Sequence, residues 1–311
     1  MRAFIFPGQG SQAVGMGKAL AEASAVARAV FQEVDDALGQ HLSRLMFEGP
    51  AEDLVLTENA QPAIMANAIA TLRVLEKEGG IRLADKADYV AGHSLGEYSA
   101  LCAAGALDLP TAALLLKHRG LAMQAAVPLG QGGMAALLGA DVDKARIIAN
   151  AAAEGEVCTV ANDNDPSQVV ISGALAAIER AVAIAKEFGA KRAVLLPVSA
   201  PFHCSLMQPA ADAMAKTLAQ ARIDTPLVPV FANVTAQPVS DVDTIRRLLV
   251  EQVTGMVRWR ESVLAMAETG VERFIEFGGK VLAPMVKRTA PDVDAISVVT
   301  MDDIEALAKA L

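Results

Sequence analysis

Cysteine is scarce in this chain. Its 311 residues include three, Cys102, Cys158 and Cys204, far apart and with no Cys-x-x-Cys pair. That excludes a disulfide framework and a zinc site of paired thiolates, and it fits a reducing, cytoplasmic setting. Basic residues are outnumbered: 27 Lys and Arg against 36 Asp and Glu leave a net charge of −9, which argues against nucleic acid or an anionic membrane as partner. No run is apolar enough for a transmembrane helix. The longest uncharged stretch, Gly120 to Ala140, is broken by Gln124, Pro128, Gln131 and several glycines. Met1 to Pro7 lacks the apolar core and cleavage site of a signal peptide and reads as a first strand. Repeats and low-complexity segments are absent. What the chain has in quantity is apolar residues, 53% of the total, enough at this length to bury the core of one large domain or two smaller ones without covalent staples.

The most informative stretch runs from Tyr89 to Ser99. Tyr89 to Ala91 reads as a short buried strand and Leu95 to Ala104 as a helix, so Ser94 falls on the turn between them. Gly92 and Gly96 flank it, giving a Gly-x-Ser-x-Gly elbow. Such a turn needs glycine where strand and helix backbones nearly touch, and it holds the hydroxyl at a helix N-terminus, where the next backbone N–H can stabilise an oxyanion. Ser94 is therefore the candidate nucleophile.

Ahead of the elbow, Ala3 to Phe6 is a strand that ends at Pro7-Gly8-Gln9-Gly10-Ser11-Gln12, with a helix expected from there to about Leu38. Gly8-x-Gly10-x-x-Ala13 satisfies a relaxed dinucleotide-binding fingerprint, but the acidic residues at the required distance, Glu33 and Asp35, fall inside that helix. The other reading is a loop that delivers a backbone N–H to a site. Gln61-Pro62-Ala63 is expected to open a helix to about Gly79. Asp108 is the expected N-cap for a helix to about Gln124 that carries Arg119, with Met123 one turn later on the same face. Ala112 to Leu116 are all apolar, so the Arg119 guanidinium needs either an outlet to solvent or an anion.

From Gly130 to Pro197 the order changes to βαββαβ, with strands expected at 133–139, 157–161, 168–172 and 192–196. This matches a ferredoxin-like unit, with Asn162-Asp163-Asn164-Asp165-Pro166 as the turn between the middle strands. Residues 130–197 are thus expected to form a small subdomain inserted into a larger α/β domain made of 1–129 and 198–311, whose alternating strands and helices imply a mostly parallel sheet flanked by helices. A cleft between the two is the expected substrate site. Of four histidines, His41 lies in a polar stretch, His93 adjoins Ser94 and His118 is one residue off the Arg119 face. His203 follows the proline-fixed loop Val198 to Pro201 and starts a helix, which makes it the leading general base. Cys204 has no elbow of its own and reads as packing.

Together these residues resemble the malonyl-CoA:acyl carrier protein transacylases of fatty acid synthesis. The resemblance rests on Phe6 to Gln12, Gly92 to Ala100, Arg119-Gly120, Ala200-Pro201-Phe202-His203, and Gln252 before Val257-Arg258-Trp259, and it runs from Phe6 to about Lys280. Met256 and Gly279 stand where the family commonly has proline. The resemblance implies a hydrolase-like α/β domain with an inserted ferredoxin-like subdomain. It also implies a ping-pong transfer from malonyl-CoA, a substrate and not a resident cofactor, to the phosphopantetheine thiol of holo acyl carrier protein, with no metal. Ser94 would be the nucleophile and His203 the base, oriented by a main-chain carbonyl with Gln252 close by. The backbone N–H groups of Gln9 and Leu95 would form the oxyanion hole, Arg119 would pair with the malonyl carboxylate, and Phe202 would disfavour a 2-methyl substituent. Because carrier proteins of this kind are acidic, a basic rim is expected among Lys186, Lys191, Arg192, Lys280, Lys287 and Arg288. A serine thioesterase shares the elbow and base but has no need of Arg119. A transferase serving a polyketide or malonate decarboxylase carrier shares all of it, and a non-catalytic carrier-binding scaffold would not need to keep Ser94 and His203.

Overall fold

The computed structural model describes residues 1–311 as two sheets with helices packed around them. In chain order the strands are β1 (Arg2–Phe6), β2 (Tyr89–Gly92), β3 (Gly132–Leu138), β4 (Cys158–Asp165), β5 (Gln168–Ala174), β6 (Arg192–Leu195), β7 (Val230–Ala232), β8 (Gln237–Val239), β9 (Arg273–Phe277) and β10 (Asp294–Val298). The larger sheet has the order β10-β9-β1-β2-β7-β8, parallel throughout except for the edge pair β7-β8. Helices cover both its faces, so its central strand is apolar on both sides: Ala3 to Phe6 are fully buried. Successive side chains alternate between faces. Phe4 and Phe6 join Phe277 and the helix Thr57–Lys77 in the main core, while Ala3 and Ile5 join Phe231, Trp259 and Phe274 beneath the helices Trp259–Glu268 and Leu282–Thr289.

The smaller sheet has the order β4-β5-β3-β6 with every pair antiparallel, and the helices Val142–Ala153 and Leu175–Ile184 cover one face. Ala135, Leu137, Val169 and Ile171 point into that local core. Their neighbours in sequence, Met134, Ala136 and Val170, point the other way and belong to the main core. One face of the small sheet is thus sealed by its own helices and the other faces the larger unit.

Three local expectations are corrected, and one strand, β8, was not anticipated. Residues 7–17 form an extended loop, and the helical stretch after it breaks at Ser24 into Lys18–Ala23 and Ala25–Leu38; the Ser24 side chain caps the second helix by accepting from the Ala27 N–H. The helix expected from Gln61 starts four residues earlier at Thr57, with Pro62 inside it. The edge strand β8 had no alternating pattern to reveal it. Most consequential, Asn162 to Asp165 are not a turn but the end of β4, and all four are buried. The two carboxylates find partners on the helices Trp259–Glu268 and Leu282–Thr289 packed against the larger sheet: Asp163 pairs with Arg260 at 2.9 Å and Asp165 with Arg288 at 2.8 Å. The Asp163 N–H donates to the Val257 carbonyl, so this strand end is laced to the larger unit.

Candidate active site

β2 ends at Gly92 and the next helix, Gly96–Ala103, begins four residues later. Neither glycine can be replaced: a Cβ on Gly92 would lie 1.8 Å from the Gly96 carbonyl oxygen, and one on Gly96 would lie 2.2 Å from the Phe6 oxygen. Between them Ser94 has φ 54°, the left-handed region that non-glycine residues rarely adopt. Asn233, just past the end of β7, staples this conformation. Its Oδ1 accepts from the Ser94 N–H at 2.7 Å and its Nδ2 donates to the Gly92 carbonyl at 2.7 Å. The carboxyl ends of β1, β2 and β7 thereby converge on one point, where open α/β sheets hold their ligands.

His203 also has a positive φ, 58°, and its ring is buried against the elbow. Nδ1 lies 2.8 Å from the main-chain carbonyl of Gln252. A carbonyl only accepts, so Nδ1 carries the hydrogen. Nε2, 2.7 Å from Ser94 Oγ, is then free to accept the hydroxyl proton. Burial, and next the Arg119 charge, hold the His203 pKa down at about 3, so the ring is neutral near pH 7.

Arg119 comes from the helix Leu109–Ala126, which Asp108 caps. It is 1% exposed, so the guanidinium does not reach solvent. Nη1 donates to Gln61 Oε1 at 2.7 Å, and Nη2 to Gln252 Oε1 at 2.9 Å and to Ser94 Oγ at 3.1 Å. These bonds use three of its five N–H groups, and Nε is buried with no partner. The ring of Tyr98 lies 5.7 Å from the guanidinium carbon. The Gln252 amide nitrogen faces the Ser94 carbonyl at 3.0 Å, Glu97 Oε2 at 2.8 Å and Asn233 Oδ1 at 3.2 Å. Burial pushes the Glu97 carboxyl up to about 7, against the Asn233 N–H, the Gln252 amide and the Arg119 charge.

These groups open onto a cavity of about 480 Å³ between the two sheets, lined by Gln9, Ser94, Leu95, Arg119, Met123, Phe202 and His203 among others. Every site residue expected from the sequence except Gln252, which touches three of them, lies on its wall. The N–H groups of Gln9 and Leu95 make no hydrogen bond within the chain, which leaves both donors for an incoming oxygen. The smaller sheet contributes Met134, Asn162, Asn164 and Val170, and Asn164 Oδ1 meets His93 Nε2 at 2.7 Å. Gln61, Glu97, Asn164 and Asn233 escaped sequence reasoning as site residues. Asn164 falls in the stretch expected as a turn, and the only signal at Asn233 is a polar residue set between Phe231-Ala232 and Val234. No group of three His, Cys, Asp or Glu side chains is placed to hold a metal ion, and no helix is long and apolar enough to cross a membrane.

Residues 3–301 match the model of the acyl transferase domain family. The chain is 46% identical over 305 residues to the malonyl CoA-acyl carrier protein transacylase of Bacillus subtilis, covering 97% of this chain and 95% of the relative. The crystal structure of the acyl-carrier-protein-S-malonyltransferase from Bartonella henselae is similar in shape, with a TM-score of 0.97 and 52% identity over 99% of this chain and 98% of that one. A malonyl-transacylase solved in complex with its type II polyketide synthase acyl-carrier protein superposes with a TM-score of 0.96 at 40% identity, covering 100% and 99% of the two chains.

Proposed function

The chain belongs to the acyl transferase domain family and, within it, to the malonyl-CoA:acyl carrier protein transacylases, and from that premise we propose that a malonyl-Ser94 ester carries the acyl group between its two thiols. His203 Nε2 takes the Ser94 proton as Oγ attacks the thioester carbonyl, and the N–H groups of Gln9 and Leu95 receive the oxyanion. The C–S bond breaks, His203 returns the proton to the departing coenzyme A thiol, and the C–O bond of the ester remains. The second half runs in reverse. The phosphopantetheine thiol of the holo carrier gives its proton to His203, attacks the ester, and Ser94 recovers the proton as its C–O bond breaks.

One observation carries the choice of acyl group: a buried guanidinium 3.1 Å from the nucleophile. A malonyl group on Ser94 brings its free carboxylate to Arg119, where its oxygens accept from guanidinium N–H groups in a charge-assisted pair. A thioesterase needs no such cation. Met123 and Phe202 supply apolar walls beside it, and the Phe202 ring crowds a 2-methyl substituent.

The reading is tested by intact-protein mass after brief mixing with malonyl-CoA. Wild type should gain one malonyl group, Ser94→Ala none, and holo carrier should discharge the adduct onto itself. Loss of the adduct to water at the same rate with and without carrier would refute transfer. A second reading, service to a polyketide carrier, is favoured by the likeness to the transacylase solved with such a carrier; comparing discharge by fatty-acid and polyketide carriers decides it.

A further inference from the structure

Glu97 lies one turn after Ser94 and is 3% exposed, yet the mechanism above gives it no part. Its hydrogen-bond partners are neutral: the Asn233 N–H at 3.0 Å and the Gln252 amide at 2.8 Å. Beyond that amide stands Arg119, bound to the other end of the same group at 2.9 Å. Guanidinium, amide and carboxylate thus form a relay in which each end polarises the amide in the same direction. Three acceptors face the Gln252 nitrogen, from Ser94, Glu97 and Asn233. With the amide reversed, its nitrogen would confront the guanidinium and its oxygen the carboxylate, leaving buried donors and acceptors unpaired.

We propose that Glu97 is the positioning residue for malonyl selectivity, holding Arg119 through the Gln252 amide and taking a proton from solvent when the malonyl carboxylate reaches the guanidinium; this rests on the transacylase reading above. The charge count in the water-excluded site gives the reason. Arg119 and Glu97 balance at rest. A malonyl carboxylate makes two negative groups for one positive, and buried like charges are costly enough for one to neutralise. The malonyl carboxylate has direct contact with the cation, so Glu97, one amide away, is the one that protonates. The charged and titratable groups facing Glu97 are Arg119, from the helix Leu109–Ala126, and Tyr98 on its own helix, where burial pushes the phenol up to about 12. Asn233 and Gln252, from the other elements at this point, are neutral. A resting carboxyl pKa of about 7 places the proton within reach near pH 7.

Acyl transfer is itself proton-neutral, since the Ser94 proton leaves on the coenzyme A thiol, so net uptake isolates this step. The experiment is a single turnover of the full chain with malonyl-CoA in weakly buffered indicator at pH 7.5, with the adduct measured by mass in parallel. Wild type should take up more than half a proton per malonyl adduct and none per acetyl adduct. Glu97→Gln, which keeps an acceptor for Asn233 and Gln252, should form the adduct, take up no proton, and keep the malonyl-to-acetyl ratio of kcat/KM within about threefold, whereas Glu97→Ala should lose about tenfold or more of that ratio. No uptake in wild type, uptake undiminished in Glu97→Gln, as protonation of His203 would give, or an unchanged ratio in Glu97→Ala would each overturn the proposal. If Glu97→Ala does not fold, the comparison of wild type with Glu97→Gln stands by itself. Absence of any wild-type adduct would overturn the transacylase reading and this one with it.

Discussion

In the proposed reaction a single guanidinium would decide which acyl group the site accepts. Arg119 has no route to solvent and its resting partners are two glutamine oxygens and the Ser94 hydroxyl. Replacing it with alanine removes the cation that a malonyl carboxylate needs and leaves that carboxylate without a counter-ion. Breaking a buried charge pair costs about 3–5 kcal/mol, so kcat/KM for malonyl-CoA should fall by at least about a hundredfold in Arg119→Ala. Acetyl-CoA brings no carboxylate, and its transfer should be unchanged or improved; equal losses on both donors in steady-state assays would remove Arg119 from selectivity. Glu97 makes a prediction about stability. Its folded pKa is raised, so the folded chain holds more protons than the unfolded one between the ordinary carboxyl value and about 7. The stability this contributes is present below pH 4.5 and is lost as pH rises through 7, a loss of about 3 kcal/mol at pH 8. Glutamine does not titrate. The Tm of Glu97→Gln minus that of wild type should therefore be more positive at pH 8 than at pH 5, and a pH-independent difference would show that burial does not raise this carboxyl.

Among the elements, those with a strong local pattern were legible in the sequence: the elbow, the capped helix that carries Arg119, and the alternation that separates the small antiparallel sheet from the large parallel one. The end of β4 was not. Asn162-Asp163-Asn164-Asp165 has the composition of a turn because Asn and Asp bond readily to local backbone, and nothing in a one-dimensional reading shows that Arg260 and Arg288 wait across an interface about a hundred residues on. The same reason hid Asn233 and Gln61, whose roles exist only once elements distant in sequence converge. The interface gives its own test. Arg260→Ala would leave Asp163, whose side chain is fully buried, as an unpaired carboxylate, and should lower unfolding free energy by about 3 kcal/mol in urea titration. Arg44→Ala breaks an exposed pair with Glu48, both side chains more than half exposed, and should cost under about 1 kcal/mol. Equal effects of the two would mean that the strand end is not held by its charges.

At the scale of the whole molecule the proposed function meets a difficulty of charge: a chain of net −9 would have to receive an acidic carrier. Attraction then has to be local to the cavity mouth. Of the six basic residues expected to form a rim, Arg288 is committed to Asp165 at 2.8 Å, and Lys287 Nζ bonds the Val293 carbonyl at 2.6 Å. The stem of Lys191 packs over Gly139. Lys186 and Arg192 are exposed on the smaller unit. Lys280 differs from all of these, because it is exposed and directly precedes Val281 and Leu282, which line the cavity with Met285. A carrier that lowers its phosphopantetheine arm into the cavity brings its own surface to this residue. Lys280→Glu should accordingly raise KM for holo carrier by about tenfold at low ionic strength, and the difference should shrink as salt shortens the Debye length from about 30 Å at 0.01 M to about 8 Å at 0.15 M. The rate of malonyl-Ser94 formation from malonyl-CoA should stay within about twofold of wild type, since this exposed side chain touches none of the reacting groups. A carrier KM indifferent to both the substitution and salt would move the docking face away from the cavity mouth. An effect confined to malonyl-CoA would instead assign Lys280 to the phosphates of coenzyme A.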